Sequence, residues 1–250
     1  MQEGMFVRGL MVTAAELNVL HSVLRDGEIR VTGRLVDASN ATLYACAFKN
    51  EVEIACIYKP VAGERPLWDF ASGTLADREY AAYLISEASG LGVVPLTILR
   101  EGPFGKGMVQ LWIDIDESVD LVELFQKDLP QLRKIALFDA IVNNTDRKIG
   151  HLLPTTDDEI FGCDHGVTFH ESDKLRTVLW QWAGTALFIE EIALLQRLLD
   201  NLEQKLGKQL LDHLTELELI ALKSRVHRLL NDEVFPLPSK DWPAVPWPAY

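Results

Sequence analysis

The sequence has little of what marks a stapled, zinc-ribbon or membrane-spanning protein. Its three cysteines, Cys46, Cys56 and Cys163, are odd in number, far apart and never in a CxxC pair. Neither a disulfide framework nor a zinc ribbon is indicated, and they read as reduced thiols. No apolar run approaches the roughly 20 residues of a membrane span. No charged segment followed by an apolar stretch and a small-residue cleavage site is visible near Met1, so the expected address is cytoplasmic, without membrane insertion. Positive charge is scarce too: 24 Lys and Arg against 37 Asp and Glu leave a formal net charge of −13. That balance repels polyphosphate backbones and anionic membrane surfaces unless a local basic patch overrides it, which argues against nucleic acid as a partner. There is no GxGxxG, no repeat and no low-complexity tract.

What is present is ample material for a core. The 250 residues are 48% hydrophobic and 24% charged, enough for one substantial core or two lobes sharing an interface. Thr13 to Leu24 reads as a helix opened by a Thr13/Glu16 capping box and ended by Gly27. The period then changes. "EIRVTGRLV" (28–36), "TLYACAF" (42–48) and "VEIACIYKP" (52–60), separated by "DASNA" and "KNE", predict a three-strand antiparallel meander. "LADREYAAYLISEASG" predicts a helix with Thr74 as N-cap and Gly90 as stop. "VVPLTILR" and "GMVQLWI" predict two more strands joined by "EGPFGKG". Helices are expected over 128–142, over 186–206 closed by Gly207, and over 215–230, with leucines forming their core faces. Trp68 is expected as a core anchor, and the tail "FPLPSKDWPAVPWPAY" as extended chain, packed through Trp242 and Trp247 or loose.

The predicted class is α+β: an N-terminal lobe over residues 1–114 with a five-stranded antiparallel sheet and one inserted helix, a mainly helical lobe over 115–234, and a Pro/Trp-rich tail over 235–250. The order of elements, with a lysine ending the third strand, a glutamate on the next helix, then a helix, a polar loop with an aspartate and a short strand pair ending in another aspartate, is the layout of a protein-kinase-like fold. Phosphoryl transfer needs the triphosphate held, its charge neutralised and the attacking hydroxyl aligned. Lys59 stands where a lysine reaches the α/β-phosphates. Glu79 and Glu87 both lie on the helix that would steady it. "DASNA", with Ser39 and Asn40, lies where a phosphate-covering loop belongs, its small residues letting backbone N–H groups approach anionic oxygens. In "NNTDRKIGH", Asp146 follows one helix and precedes the apolar "LL", the place of a catalytic loop. Its carboxylate would orient the acceptor hydroxyl, with Arg147 and Lys148 as local positive charge. Asp164 in "GCDHGVTF" follows a second short strand, where a carboxylate can take Mg²⁺. Read as zinc ligands, His151, Cys163, His165 and His170 lack any standard spacing.

Taken as a set, "IYKP", "REYAAYLISE", "VVPLTILR", "NNTDRKIGH" and "DHGVTFH" resemble the phosphatidylinositol 3- and 4-kinase-related superfamily, over about residues 33–182. The likeness is strongest to a bacterial family distantly similar to those lipid kinases, with type II phosphatidylinositol 4-kinases and HipA kinases as remoter relatives. The resemblance implies an ATP site made by Lys59, Glu79, Asp146 and Asp164, and selects Glu79 over Glu87. It implies adenine held by the backbone of Gln110, Leu111, Trp112 and Ile113. One position departs from it: the related kinases have asparagine five residues after the catalytic aspartate as a second metal ligand, and here His151 stands there. Neutral imidazole can bind a divalent metal, with a bias from Mg²⁺ toward Mn²⁺. The expected activity is an ATP- and divalent-metal-dependent phosphotransferase acting on a hydroxyl of a protein or small molecule. Lipid ranks lower, because no membrane-binding helix or polybasic run is present. The alternatives are a nucleotide-binding pseudokinase acting through protein interaction, motivated by His151, and AMP transfer in the same fold.

Overall fold

The computed structural model describes residues 5–7, 10–35 and 40–250. A hairpin of β1 (Met5–Val7) and β2 (Leu10–Val12), not anticipated from the sequence, precedes α1 (Ala14–Asp26). The capping box that starts α1 is present: Thr13 N–H donates to Glu16 Oε2 at 2.7 Å and Glu16 N–H to Thr13 Oγ1 at 3.3 Å. β3 (Glu28–Arg34), β4 (Leu43–Lys49) and β5 (Val52–Pro60) form the meander, and β6 (Thr97–Gly102) and β7 (Gly105–Leu111) complete one antiparallel sheet in the order β3-β4-β5-β7-β6. The last two strands reach further into "EGPFGKG" than expected, leaving only Pro103 and Phe104 between them.

Between β5 and β6 lies α2 (Leu75–Ser89), ended by Gly90 in the left-handed region at φ 76°. Its N-terminus is not capped by Thr74, whose hydroxyl donates to Ala71 O instead. Glu64, from the loop after β5, accepts from the amides of Leu75 and Ala76 at 3.2 and 2.9 Å. A carboxylate at a helix N-terminus satisfies orphan donors and complements the dipole.

The second half contains α3 (Leu121–Leu124), α4 (Pro130–Val142), the short pair β8 (Leu152–Pro154) and β9 (Ile160–Gly162), then α5 (Ile189–Leu202), α6 (Lys205–Leu210) and α7 (Glu216–Asp232). Gly207 does not close a helix. It lies inside α6, where an added Cβ would come within 2.0 Å of Leu202 O, so the close turn between α5 and α6 needs a residue without one. The buried leucines of α5 and α7, among them Leu195, Leu198, Leu222 and Leu229, join the sheet's inner face in one continuous core. Arg78 of α2 donates to Glu218 of α7 and to Thr168 O, tying the sheet lobe to the helical lobe. Trp68 is no core anchor: it is 82% exposed, its ring over the Lys174 ammonium at 4.6 Å. The tail packs through Trp242 rather than Trp247, which is exposed. Among the described residues no helix is long and apolar enough to cross a membrane.

Candidate active site

β5 alternates. Ile54, Cys56 and Tyr58 point into the core, so Ile57 and Lys59 share the opposite face and look into a cleft beneath the sheet. Lys59 Nζ lies 2.6 Å from Glu79 Oε1 and 2.8 Å from Asp164 Oδ1. Glu79 is buried, and its second oxygen accepts from the His165 amide at 2.9 Å. One ammonium thus joins β5, α2 and the segment after β9. Burial works against the Lys59 charge, but Asp164 and Glu79 outweigh it and hold its pKa above the usual lysine range. The Lys59 charge in turn holds the Asp164 carboxyl well below the ordinary value. Glu87, the other candidate on α2, lines a separate small cavity behind Leu111 and Ile113.

The loop after α4 is shaped by a buried ion pair. α4 stops at Asn143 in the left-handed region, φ 53°. Arg147 is fully buried, its Nε 3.0 Å from Asp139 Oδ2 and its Nη2 2.9 Å from Asp139 Oδ1, with Nη1 donating to Cys163 O at 2.8 Å. Asn144 donates to Asp139 Oδ1 and accepts from the Asp146 amide. With Asn144 and Arg147 turned inward, Asp146 and Lys148 turn into the cleft. Arg147 therefore does not line the cleft, where its sequence position suggested local positive charge; its guanidinium is paired with Asp139. It is the bolt that fixes the loop to α4.

Asp146 Oδ2 lies 3.3 Å from Lys148 Nζ, and its Oδ1 lies 3.8 Å from Arg176 Nη2. Burial raises the Asp146 pKa, with the Lys148 charge opposing the rise. The sequence reading missed Arg176. Its segment is laced to the loop: Arg147 N–H donates to Arg176 O at 3.1 Å and Val178 N–H to Arg147 O at 3.2 Å. A lone arginine in "DKLRTVL" carries no signal of that pairing.

His151 Nε2 stands 3.5 Å from Asp164 Oδ2, and burial lowers its pKa to about 4, so the ring is neutral. Its Nδ1 accepts from the Lys148 amide at 3.4 Å, which favours the ring proton on Nε2, toward Asp164. As arranged, the Nε2 side of the ring faces Asp164 without a hydrogen bond to it. His151 becomes the expected metal ligand only as the other tautomer. The zinc reading fails on geometry: His165 is buried against Arg147, and His170 is turned to Lys174 and the Ser172 amide. Among the described residues no group of three or more His, Cys, Asp or Glu side chains is placed to hold a metal.

The remaining expected contacts separate as well. Leu111 N–H donates to Leu96 O and Trp112 N–H to Ala55 O, and the Gln110 side chain donates to Thr97 Oγ1. Those amides belong to the sheet. Ile113, past the end of β7, lines the cleft, and among the described residues its amide donates to no protein acceptor. Asn40 does not reach the cleft, because its Oδ1 accepts from the Arg65 amide at 2.8 Å and clasps the loop after β5. Ser39 lies outside the described residues.

The cleft measures about 480 Å³, within the roughly 300–1,000 Å³ of small-molecule and cofactor sites. Its lining combines the aliphatic side chains Ile57, Ile113 and Leu153 with the charged Lys59, Asp146, Lys148 and Asp164.

No family model matches the chain. It is 40% identical over 265 aligned residues to Protein Rv2133c of Mycobacterium tuberculosis, across 92% of this chain and 95% of that one. Among solved structures, the Golgi casein kinase with Mn and ADP bound superposes with a TM-score of 0.60 at 14% identity, over 90% of this chain and 77% of the kinase. A second Golgi casein kinase structure gives 0.54 at 12% identity, over 88% and 75%. At such identity the likeness is one of fold. The chain belongs to the family of the mycobacterial Protein Rv2133c, and its fold is protein-kinase-like.

Proposed function

We propose that the protein is an ATP- and divalent-metal-dependent phosphotransferase that acts on a hydroxyl group. One observation carries this reading: a single ammonium, Lys59, is bonded at once to Glu79 of α2 and Asp164 after β9, across a cleft whose far wall presents Asp146. Three charged groups from three distant segments, one of them buried and all at a cleft, mark a candidate functional site. The Golgi casein kinase of the same fold is described with Mn and ADP, which supports a nucleotide and a divalent cation here.

The residues present fit such a ligand. Mg²⁺ and Mn²⁺ at phosphate sites are held by one or two carboxylates plus the phosphates themselves, and Asp164 offers a carboxylate oxygen not bonded to Lys59. When bound, the metal supplies charge neutralisation at the phosphates. Lys59 holds phosphate oxygens in the position Glu79 fixes, the Ile113 amide and the aliphatic side chains hold the base, and Lys148 offsets charge at the transferred group. Asp146 aligns the acceptor hydroxyl and takes its proton as the new P–O bond forms, the bond to the bridging oxygen breaks and ADP leaves.

The likeness to lipid kinases is carried by motifs and does not extend to the acceptor. No described helix crosses a membrane, and a protein or small-molecule hydroxyl is preferred to a lipid. The test is incubation with γ-labelled and with α-labelled ATP and Mg²⁺ or Mn²⁺. Label from the γ position alone on an acceptor supports phosphoryl transfer. Label from the α position makes the protein an AMP transferase, and binding without any transfer makes it a pseudokinase.

A further inference from the structure

Among the described residues, Arg176 is a cation beside Asp146 to which the phosphotransferase mechanism gives no task. Its Nε donates to Thr145 O at 2.7 Å, which fixes the side chain beside the loop. Its ring neighbour is Trp242, with the guanidinium carbon 5.6 Å from the indole centroid. Nη2 stands 3.8 Å from Asp146 Oδ1, too far for a hydrogen bond, and among the described residues neither Nη group donates to any protein acceptor. A guanidinium carries five donors in a fixed fork suited to carboxylate and phosphate. Here most of that fork is unused, next to the carboxylate that aligns the acceptor. In a chain of net charge −13, Arg176 and Lys148 on either side of Asp146 make a local positive site.

The chain's own tail limits what can approach. Ala244 O accepts from the Thr177 amide at 3.0 Å and from Trp180 Nε1 at 2.8 Å, and Ala249 O accepts from the Ile149 amide at 2.9 Å. The tail thus runs along the flank of the catalytic loop from the Arg176 segment to Ile149. That flank is thereby closed to an extended polypeptide acceptor.

We propose that the acceptor is a small molecule bearing an anionic group, carboxylate or phosphate, that Arg176 grips so that a nearby hydroxyl meets Asp146. This rests on the phosphotransferase reading and adds the substrate class to it. Arg176 is then a specificity residue for the acceptor and not for the nucleotide.

The experiment measures transfer from γ-labelled ATP by the full chain to glycerate, glycerol phosphate and hexose phosphate, to their neutral counterparts glycerol and hexose, and to a serine peptide rich in glutamate. The expected result is transfer to an anionic small molecule well above its neutral counterpart. Arg176→Gln should raise KM for that acceptor at least about tenfold, the range for losing a charged hydrogen bond, with kcat within about threefold and nucleotide affinity unchanged. Arg176→Lys should restore part of the loss. Equal use of neutral counterparts, preference for the peptide, an unmoved KM in Arg176→Gln, or ATP turnover with no anionic acceptor labelled would each overturn the proposal and leave the phosphotransferase reading standing. Absence of metal-dependent ATP binding would remove both.

Discussion

Arg147 and Asp139 form a fully buried pair, guanidinium against carboxylate, at 2.9 and 3.0 Å. Removing one partner strands the other charge in the core, which costs about 3–5 kcal/mol. Arg147→Ala should therefore lower the unfolding free energy by roughly that amount and, by loosening the loop, lower activity as a consequence. Chemical denaturation of the purified variant checks this. A variant as stable as wild type with a selective loss of transfer would instead make Arg147 a cation of the site.

Asp164 should matter for nucleotide more than for fold. It is partly exposed and bonded to Lys59, which keeps Glu79 as a partner in its absence. Asp164→Ala removes the carboxylate expected to hold the cation, so metal-dependent ATP affinity should fall by at least about an order of magnitude. Calorimetric titration with and without Mn²⁺ measures it, and equal metal-dependent affinity in both proteins would take Asp164 out of the site.

His151 gives the stability a pH dependence whose sign is fixed by its burial. Its folded pKa is about 4, against ~6.5 for a free histidine. Below ~6.5 the unfolded chain binds a proton that the folded chain refuses, so stability drops as pH falls from ~6.5 to about 4 and levels off beneath that. At ~1.4 kcal/mol per pH unit the full loss is about 3 kcal/mol. His151→Asn should flatten this part of the profile and shift the metal preference toward Mg²⁺. Denaturation midpoints across that range test it, and parallel profiles for the two proteins would contradict it.

The order of strands and helices was legible because it rests on local rules: the period of two in β5, the reciprocal Thr13/Glu16 cap, the glycine after α2. The alternation that buries Tyr58 also aims Lys59 into the cleft, so that residue could be placed from its strand alone. Arg147 could not, since loop residues of one polarity do not announce which way they turn. A signal existed in Asp139, a carboxylate inside the apolar run "ALFDAIV", which needs a buried cation. Glu64 capping α2 and Arg176 beside Asp146 are contacts between segments distant in sequence, and no local pattern marks them. Asn40 misled because a small polar turn serves a loop clasp as well as a phosphate.

As a catalytic loop, "NNTDRKIGH" uses Asp146 to act on the acceptor. The direct measurement is single-turnover transfer from γ-labelled ATP by Asp146→Asn, alongside its ATP affinity and thermal stability. Asparagine keeps the size of the side chain and removes the anion that receives the proton. Affinity and stability should stay near wild type while the transfer rate falls by roughly two to four orders of magnitude. Transfer at the wild-type rate by folded Asp146→Asn would contradict the account.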